Sequence, residues 1–273
     1  MKKDPLSLFF AFLVLTAAVV TFGVLIFLIG YILVRGVPHL TPSLFAFKYT
    51  SENVSLFPAI ITTVIMTLLS LLIAVPLGLF TAIYLVGYAK KGNKLVELIR
   101  LTAETLAGIP SIVYGLFGLL FFVTYLNWGF SILAGAVTLS IMILPLIMRT
   151  SEEALKSVSD SLREASFGLG AGRLRTVFAV VLPVAVPGIL AGIILAVGRI
   201  VGETAALLYT AGTVAKVPES LLSSGRTLSL HMYVLSGEGL YTNQAYATAV
   251  VLLIVVLLIN ILSVYAAKKL TKG

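Results

Sequence analysis

Six apolar runs, each about as long as a bilayer is thick, constrain this chain more than anything else in it. They are Leu6–Val34, Ala59–Tyr88, Leu101–Leu126, Ser131–Met148, Thr176–Gly212 and Ala245–Ala267. A spanning helix takes about 20 mostly apolar residues, because backbone polar groups inside hydrocarbon must be satisfied within the segment. Charged residues make up 11% of the 273, where a soluble domain carries about 25%, so the solvent is mostly lipid. The expectation is an all-α integral membrane protein: one transmembrane domain over 1–273 with six helices. The first run follows Met-Lys-Lys-Asp-Pro, is too long for a signal h-region and lacks a small-residue cleavage site, so it reads as an uncleaved span.

Basic residues cluster by loop. Lys2 and Lys3, then Lys90, Lys91, Lys94 and Arg100, then Arg149, Lys156, Arg163, Arg173 and Arg175, then Lys268, Lys269 and Lys272 make 14 of the 19 on one side. The positive-inside rule assigns that side, with both termini, to the cytoplasm. The excess of +8 therefore reads as topology rather than nucleic-acid binding. With no cysteine, disulfides and thiolate chemistry are excluded. His39 and His231 lie apart in polar loops with no partner at ligand spacing, which argues against a metal site. Within the outer loop 213–244, Thr227–Leu235 reads as a short interfacial helix.

The cytoplasmic loop 149–175 is the wet segment of a dry chain. Ser161-Leu-Arg-Glu164 fits a capping box, so a short helix starts near Ser161 and ends at Gly168, Gly170 and Gly172. Leu182-Pro183 then falls early in the next long helix, where proline enforces a bend. Gly168-x-Gly170-x-Gly172 lacks the last glycine and the preceding strand of a dinucleotide site, and no Gly-Lys-Ser/Thr exists for a Walker loop. From the residues alone the loop is either a docking element or a solvated connection.

Arg199 and Glu203 stand 16 and 20 residues beyond Pro183, about 24–30 Å along a helix. Each charge costs about 2.5–3.5 kcal/mol at a lipid-facing helix centre, so neither faces lipid. At i,i+4 they share a face and can pair. In an unbroken helix Gly188, Gly192 and Gly202 share that face, and Gly188/Gly192 and Gly198/Gly202 are small-xxx-small pairs for close helix approach. Two roles stay open: a static ion pair, or a site where the Arg199 fork meets an anion, positioned by Glu203 and aided by the Thr204 hydroxyl. Arg100 and Glu104 form a similar i,i+4 pair, interfacial or part of a gate with Gly108-Ile109-Pro110. Pro76, Pro110 and Pro145 interrupt spans two, three and four, where kinks would suit rocking helices.

Glu164-Ala165-Ser166-x-x-x-Gly170 followed at fixed distance by Val180-x-Leu182-Pro183 resembles the Glu-Ala-Ala…Gly…Ile-x-Leu-Pro signature of ABC importer permeases, with Ser166 and Val180 as conservative departures. The resemblance implies a type I ABC importer permease architecture. In it Glu164, Ala165, Ser166, Gly170, Leu182 and Pro183 couple to a cytoplasmic ATPase.

Gly198-Arg199-Ile-Val-Gly202-Glu203-Thr204-Ala205 and Thr102-Ala-Glu104-Thr-Leu-Ala-Gly-Ile-Pro110-Ser-Ile-Val-Tyr-Gly115 resemble permeases of phosphate ABC importers. Thr204-Ala-Ala-Leu-Leu-Tyr-Thr210 is similar to their A-type (PstA-like) subunit. A-type chains often carry proline where Ala206 stands, which leaves a helix break after Thr204 an open question. The resemblance runs from Ala59 to the C-terminus. It implies a bacterial or archaeal cell (inner) membrane and inorganic phosphate as cargo along Arg199, Glu203 and Thr204, with Glu104, Pro110 and Gly202 in gating or packing. It also implies a C-type phosphate permease as heterodimer partner, two copies of a cytoplasmic ATPase subunit and an extracytoplasmic phosphate-binding protein. This chain is then no enzyme and binds no cofactor; ATP and Mg belong to the ATPase. Alternatives are an ABC importer for another oxyanion or solute, an ion-coupled secondary transporter using Glu203, or, least favoured, a membrane enzyme.

Overall fold

The computed structural model describes residues 5–90 and 92–271, and every regular element among them is helical. In chain order these are α1 (Pro5–Gly36), α2 (Phe57–Gly87), α3 (Lys94–Ala107), α4 (Ser111–Gly118), α5 (Ile132–Lys156), α6 (Asp160–Gly168), α7 (Arg173–Thr176), α8 (Leu182–Gly202), α9 (Ala205–Thr210), α10 (Leu228–Glu238) and α11 (Thr242–Thr271). Wide-turn π segments follow α4 (Leu119–Tyr125) and α7 (Val177–Val181). Among the described residues five helices are long and apolar enough to cross a membrane, up to six if the bent α3–α4 pair is counted as one span. Lys2, Lys3, Lys91 and Lys272, part of the charge asymmetry, lie outside the described residues.

Association in lipid rests on close packing and interhelical hydrogen bonds, since tails are as apolar as leucine. α2 and α5 meet on that principle. Met66, Ala74, Leu139, Met142, Ile143 and Ile147 form their shared core. Ser70 donates to the Ala136 carbonyl, and Ser140 donates to the Ser70 carbonyl, each at 3.2 Å. A Cβ on Gly78 would sit 2.8 Å from Ile147 Cγ2, so only glycine lets the helices come this close. Pro76 and Pro145 sit inside helices that continue through them. By contrast α1 is exposed along most of its length and meets α11 near its end, where Tyr31 and Tyr246 pack edge to face at 5.8 Å.

Two expected spans are not continuous. The third breaks at Gly108-Ile109-Pro110 and turns by 100°. Pro110 biases Ile109 away from helical backbone, and α3 ends at Gly108. The fifth stops at Gly202; Glu203 is extended (φ −72°, ψ 131°) and α9 restarts at Ala205, so the break exists without a proline at 206. α9 then packs tightly on α4, where a Cβ on Gly115 would lie 2.9 Å from Ala206 Cα. α10 is not an interfacial strip: Leu228, Ser229, Leu230, His231 and Leu235 are all buried.

Candidate functional site

Four charged residues near the end of α5, Arg149, Glu152, Glu153 and Lys156, fall at i, i+3, i+4 and i+7 and so share one helix face. That face, with Arg100 and Glu104 of α3 and Arg199 of α8, lines a cavity of about 380 Å³. Pro145 and Leu146 contribute apolar wall. Four cations face three carboxylates, a formal net charge of +1. Sequence reasoning singled out Arg199, Arg100 and Glu104 here but gave the α5 residues no site role; their 3–4 spacing was the signal that could have found them.

The ion pairs in this cavity decide its chemistry. Glu152 is nearly buried and takes both Arg100 (Nη2 2.7 Å, Nε 2.9 Å) and Lys156 (2.7 Å). Arg149 lies 3.4 Å from Glu153 and 3.9 Å from Glu104. The expected Arg100–Glu104 pair is therefore absent among the described residues: each partner turns to α5, which offers a closer opposite charge. Arg199 is the cavity's one cation without an ion pair among the described residues. Its fork is available to an outside anion, for which planar, bidentate N–H geometry is suited.

Glu203 does not pair with Arg199, because the helix ends before it and the i,i+4 register is lost. Its carboxylate instead accepts the Ala206 N–H at 3.1 Å, capping α9. The Glu203 carbonyl accepts a short bond from Ser229 of α10 at 2.6 Å, which satisfies a backbone group stranded by the break. The Thr204 hydroxyl lies 3.5 Å from the Gly202 carbonyl, and neither Glu203 nor Thr204 lines the cavity. Of the glycine stripe, Gly188 and Gly192 meet α5: a Cβ on each would approach Ala154 and Thr150 within 2.7 Å. Gly198 and Gly202 meet nothing within 4 Å. Pro110 caps α4 at the bend and is exposed.

The α6–α7 turn is built differently from the expected capping box. Its cap is Ser159, whose hydroxyl accepts the Ser161 N–H, two residues earlier than the Ser161 cap expected. Ser166 faces inward and shares a 2.9 Å hydrogen bond with Thr176, tying α6 to α7. Glu164 and Ala165 are exposed, and Leu169 at the tip is 90% exposed. Gly170 has φ +80°, a left-handed conformation that favours glycine. Leu182 and Pro183 open α8 directly after the π segment, inside a helical run that continues from Arg173 to Gly202. His231 is buried in α10 rather than lying in a polar loop, and neither ring nitrogen has a hydrogen-bond partner among the described residues.

Broken and continuous spans around a charged cavity, with an exposed two-helix turn at the same end, fit the architecture of a type I ABC importer permease. The chain belongs to the family described as "Binding-protein-dependent transport system inner membrane component", whose model matches residues 74–272. It is 34% identical to the probable ABC transporter permease protein YqgI of Bacillus subtilis, over 94% of both chains. It is also 34% identical to the phosphate transport system permease protein PstA of Yersinia pestis, over 94% of this chain and 90% of that one. The fold matches a chain of the bacterial alginate ABC transporter solved with an alginate pentasaccharide-bound periplasmic protein (TM-score 0.68, 18% identity, 97% and 96% covered). It matches the inward-facing MetNI methionine ABC transporter with TM-score 0.61 at 21% identity, over 88% and 97%. The chain is accordingly a multi-pass inner-membrane permease of an ABC importer; the relatives are permease subunits, not enzymes.

Proposed function

We propose that this permease carries inorganic phosphate, with the basic end of the bundle in the cytoplasm. The observation that supports the reading best is Arg199, without an ion pair among the described residues, in the wall of a cavity whose other cations are each paired with a carboxylate. A lone fork holds a tetrahedral oxyanion by two parallel N–H bonds, and the carboxylates below it keep the way out from becoming a second, tighter trap. Glu203 and Thr204 act at one remove, by fixing the break that ends α8. The likeness to the PstA permease supports phosphate over other oxyanions.

In this reading the α6–α7 turn, with Glu164, Ala165, Gly170 and the exposed Leu169, docks on a cytoplasmic ATPase that binds ATP and Mg. Two ATPase copies, a C-type phosphate permease and an extracytoplasmic phosphate-binding protein complete the transporter. The likeness to a permease seen with a periplasmic protein supports the last of these. Gly198 and Gly202, where an added Cβ would meet no described residue within 4 Å, suit the surface toward the second permease.

Oxyanion competition in proteoliposomes tests the cargo. Labelled phosphate uptake should resist a large excess of sulfate or molybdate; displacement by either at concentrations equal to phosphate would reassign the cargo.

A further inference from the structure

A second cavity, of about 290 Å³, lies between the end of α2 and the α6–α7 turn and shares no lining residue with the one below Arg199. Lys90, Arg163 and Arg173 line it, and among the described residues no carboxylate does. Its remaining wall includes Phe167, Val177 and Val181. Arg163 gives Nη2 to the Leu155 carbonyl at 2.7 Å, while its Nε is buried with no hydrogen-bond partner. Asp160 stands 3.7 Å from that Nε, beyond hydrogen-bond reach, and is itself largely solvated. Three cations thus converge on a space with no carboxylate among its described lining, while Asp160 and Glu97 line the adjoining cavity that Lys90 and Arg163 also reach.

Position selects the ligand. α2 ends at Gly87 and the helical run Arg173–Gly202 begins beside it, so the cavity sits at the basic ends of two candidate membrane spans. Basic pockets between helices at that level are suited to phospholipid head groups. Leu77, Phe80, Tyr84 and Tyr88 are all exposed and fall on one face of α2 that leads to the cavity. A free ion or a nucleotide has no use for such a stripe, whereas acyl chains do.

We propose that this cavity seats the phosphate of an anionic phospholipid, which bridges α2 to the α6–α7 turn. Lys90, Arg163 and Arg173 hold the phosphate, Tyr88 stands beside them, and the tails run along the α2 stripe. The assignment is independent of which solute the permease carries.

Native mass spectrometry of the full chain in mixed micelles of phosphatidylglycerol and phosphatidylcholine tests it. The wild type should retain phosphatidylglycerol selectively, and retention should fall about fivefold for each of Arg163→Gln and Arg173→Gln. Arg175→Gln, which removes the same charge from the same segment but outside the cavity, should leave retention unchanged. Should either variant fail to fold, Lys90→Gln gives the same fivefold test. Three results would overturn the proposal: equal loss in Arg175→Gln, meaning diffuse attraction; equal retention of both lipids; or displacement of phosphatidylglycerol by millimolar inorganic phosphate, meaning a free-ion site.

Discussion

Gly192→Ala places one methyl group at the tightest crossing of the helices that carry the cavity's charges. The new Cβ would lie 2.6 Å from Thr150 Cβ and nearer still to its hydroxyl oxygen. Ordinary carbon contacts are about 3.5–4.0 Å, so α8 must move off α5 by about 1 Å. Rotating Thr150 does not help, because its Cβ is part of the clash. A gap of that size forfeits about a quarter to a half of each facing contact along Ala154, Ala185 and Ile189. Overpacking of this kind costs about 1–3 kcal/mol, which for a chain of this size lowers Tm by roughly 3–10 °C. Transport suffers too, since α5 carries Arg149, Glu152 and Glu153 into the cavity and α8 carries Arg199. Thr150→Gly removes the clashing atoms, so the double variant should recover most of both losses. Thermal unfolding in detergent and phosphate uptake in vesicles read the two effects. An additive double variant, or a Gly192→Ala chain as stable as wild type, would refute the claim that this crossing is glycine-limited.

Gly170→Val forces a β-branched residue to φ +80°, at about 1–2 kcal/mol of backbone strain, and should lower co-purification of the ATPase. Gly172→Ala should not, because Gly172 has φ −72° and open space around it. Glu152→Gln leaves Arg100 and Lys156 half exposed and able to rehydrate, so the stability cost stays near 1 kcal/mol. The cavity then has four cations against two carboxylates, +2 in place of +1, and uptake kinetics should show a lower turnover with a lower KM. Burial, reinforced by Arg226, pushes His231 down from 6.5 to about 3. The unfolded chain therefore binds the extra proton between those values. Stability is full above pH 6.5 and falls as pH drops toward 3, by at most about 1.4 kcal/mol per pH unit. His231→Phe should flatten that part of a Tm-against-pH curve.

Apolar length made the spans legible in the sequence, because lipid leaves the backbone few alternatives to helix. Where the chain departs from straight helices, local residues explain only part. Pro110 announces the bend in span three, but nothing at Ala205-Ala206 announces the break after Gly202. That break is held by Glu203 reaching Ala206 and by Ser229 reaching back from 26 residues away. Some charge pairs proved equally non-local, although Arg149–Glu153 and Glu152–Lys156 keep the i,i+4 spacing. The i,i+4 rule offered Arg100–Glu104 and Arg199–Glu203, yet Arg100 found Glu152 across 52 residues. Glycine spacing correctly pointed to close approach at Gly188 and Gly192, while at Gly198 and Gly202, with the same spacing, an added Cβ would meet no described residue within 4 Å. Spacing along a helix gives a face; only the packed bundle says what lies opposite.

Arg199 carries the central claim, and its removal in the reconstituted transporter tests that claim most directly. With binding protein, second permease and ATPase present, phosphate should stimulate ATP hydrolysis and uptake by the wild type. Arg199→Gln loses two charge-assisted hydrogen bonds, each about 1.5–3 kcal/mol, so uptake should fall at least about 100-fold while insertion and assembly persist. Phosphate uptake by Arg199→Gln at the wild-type rate would contradict the account.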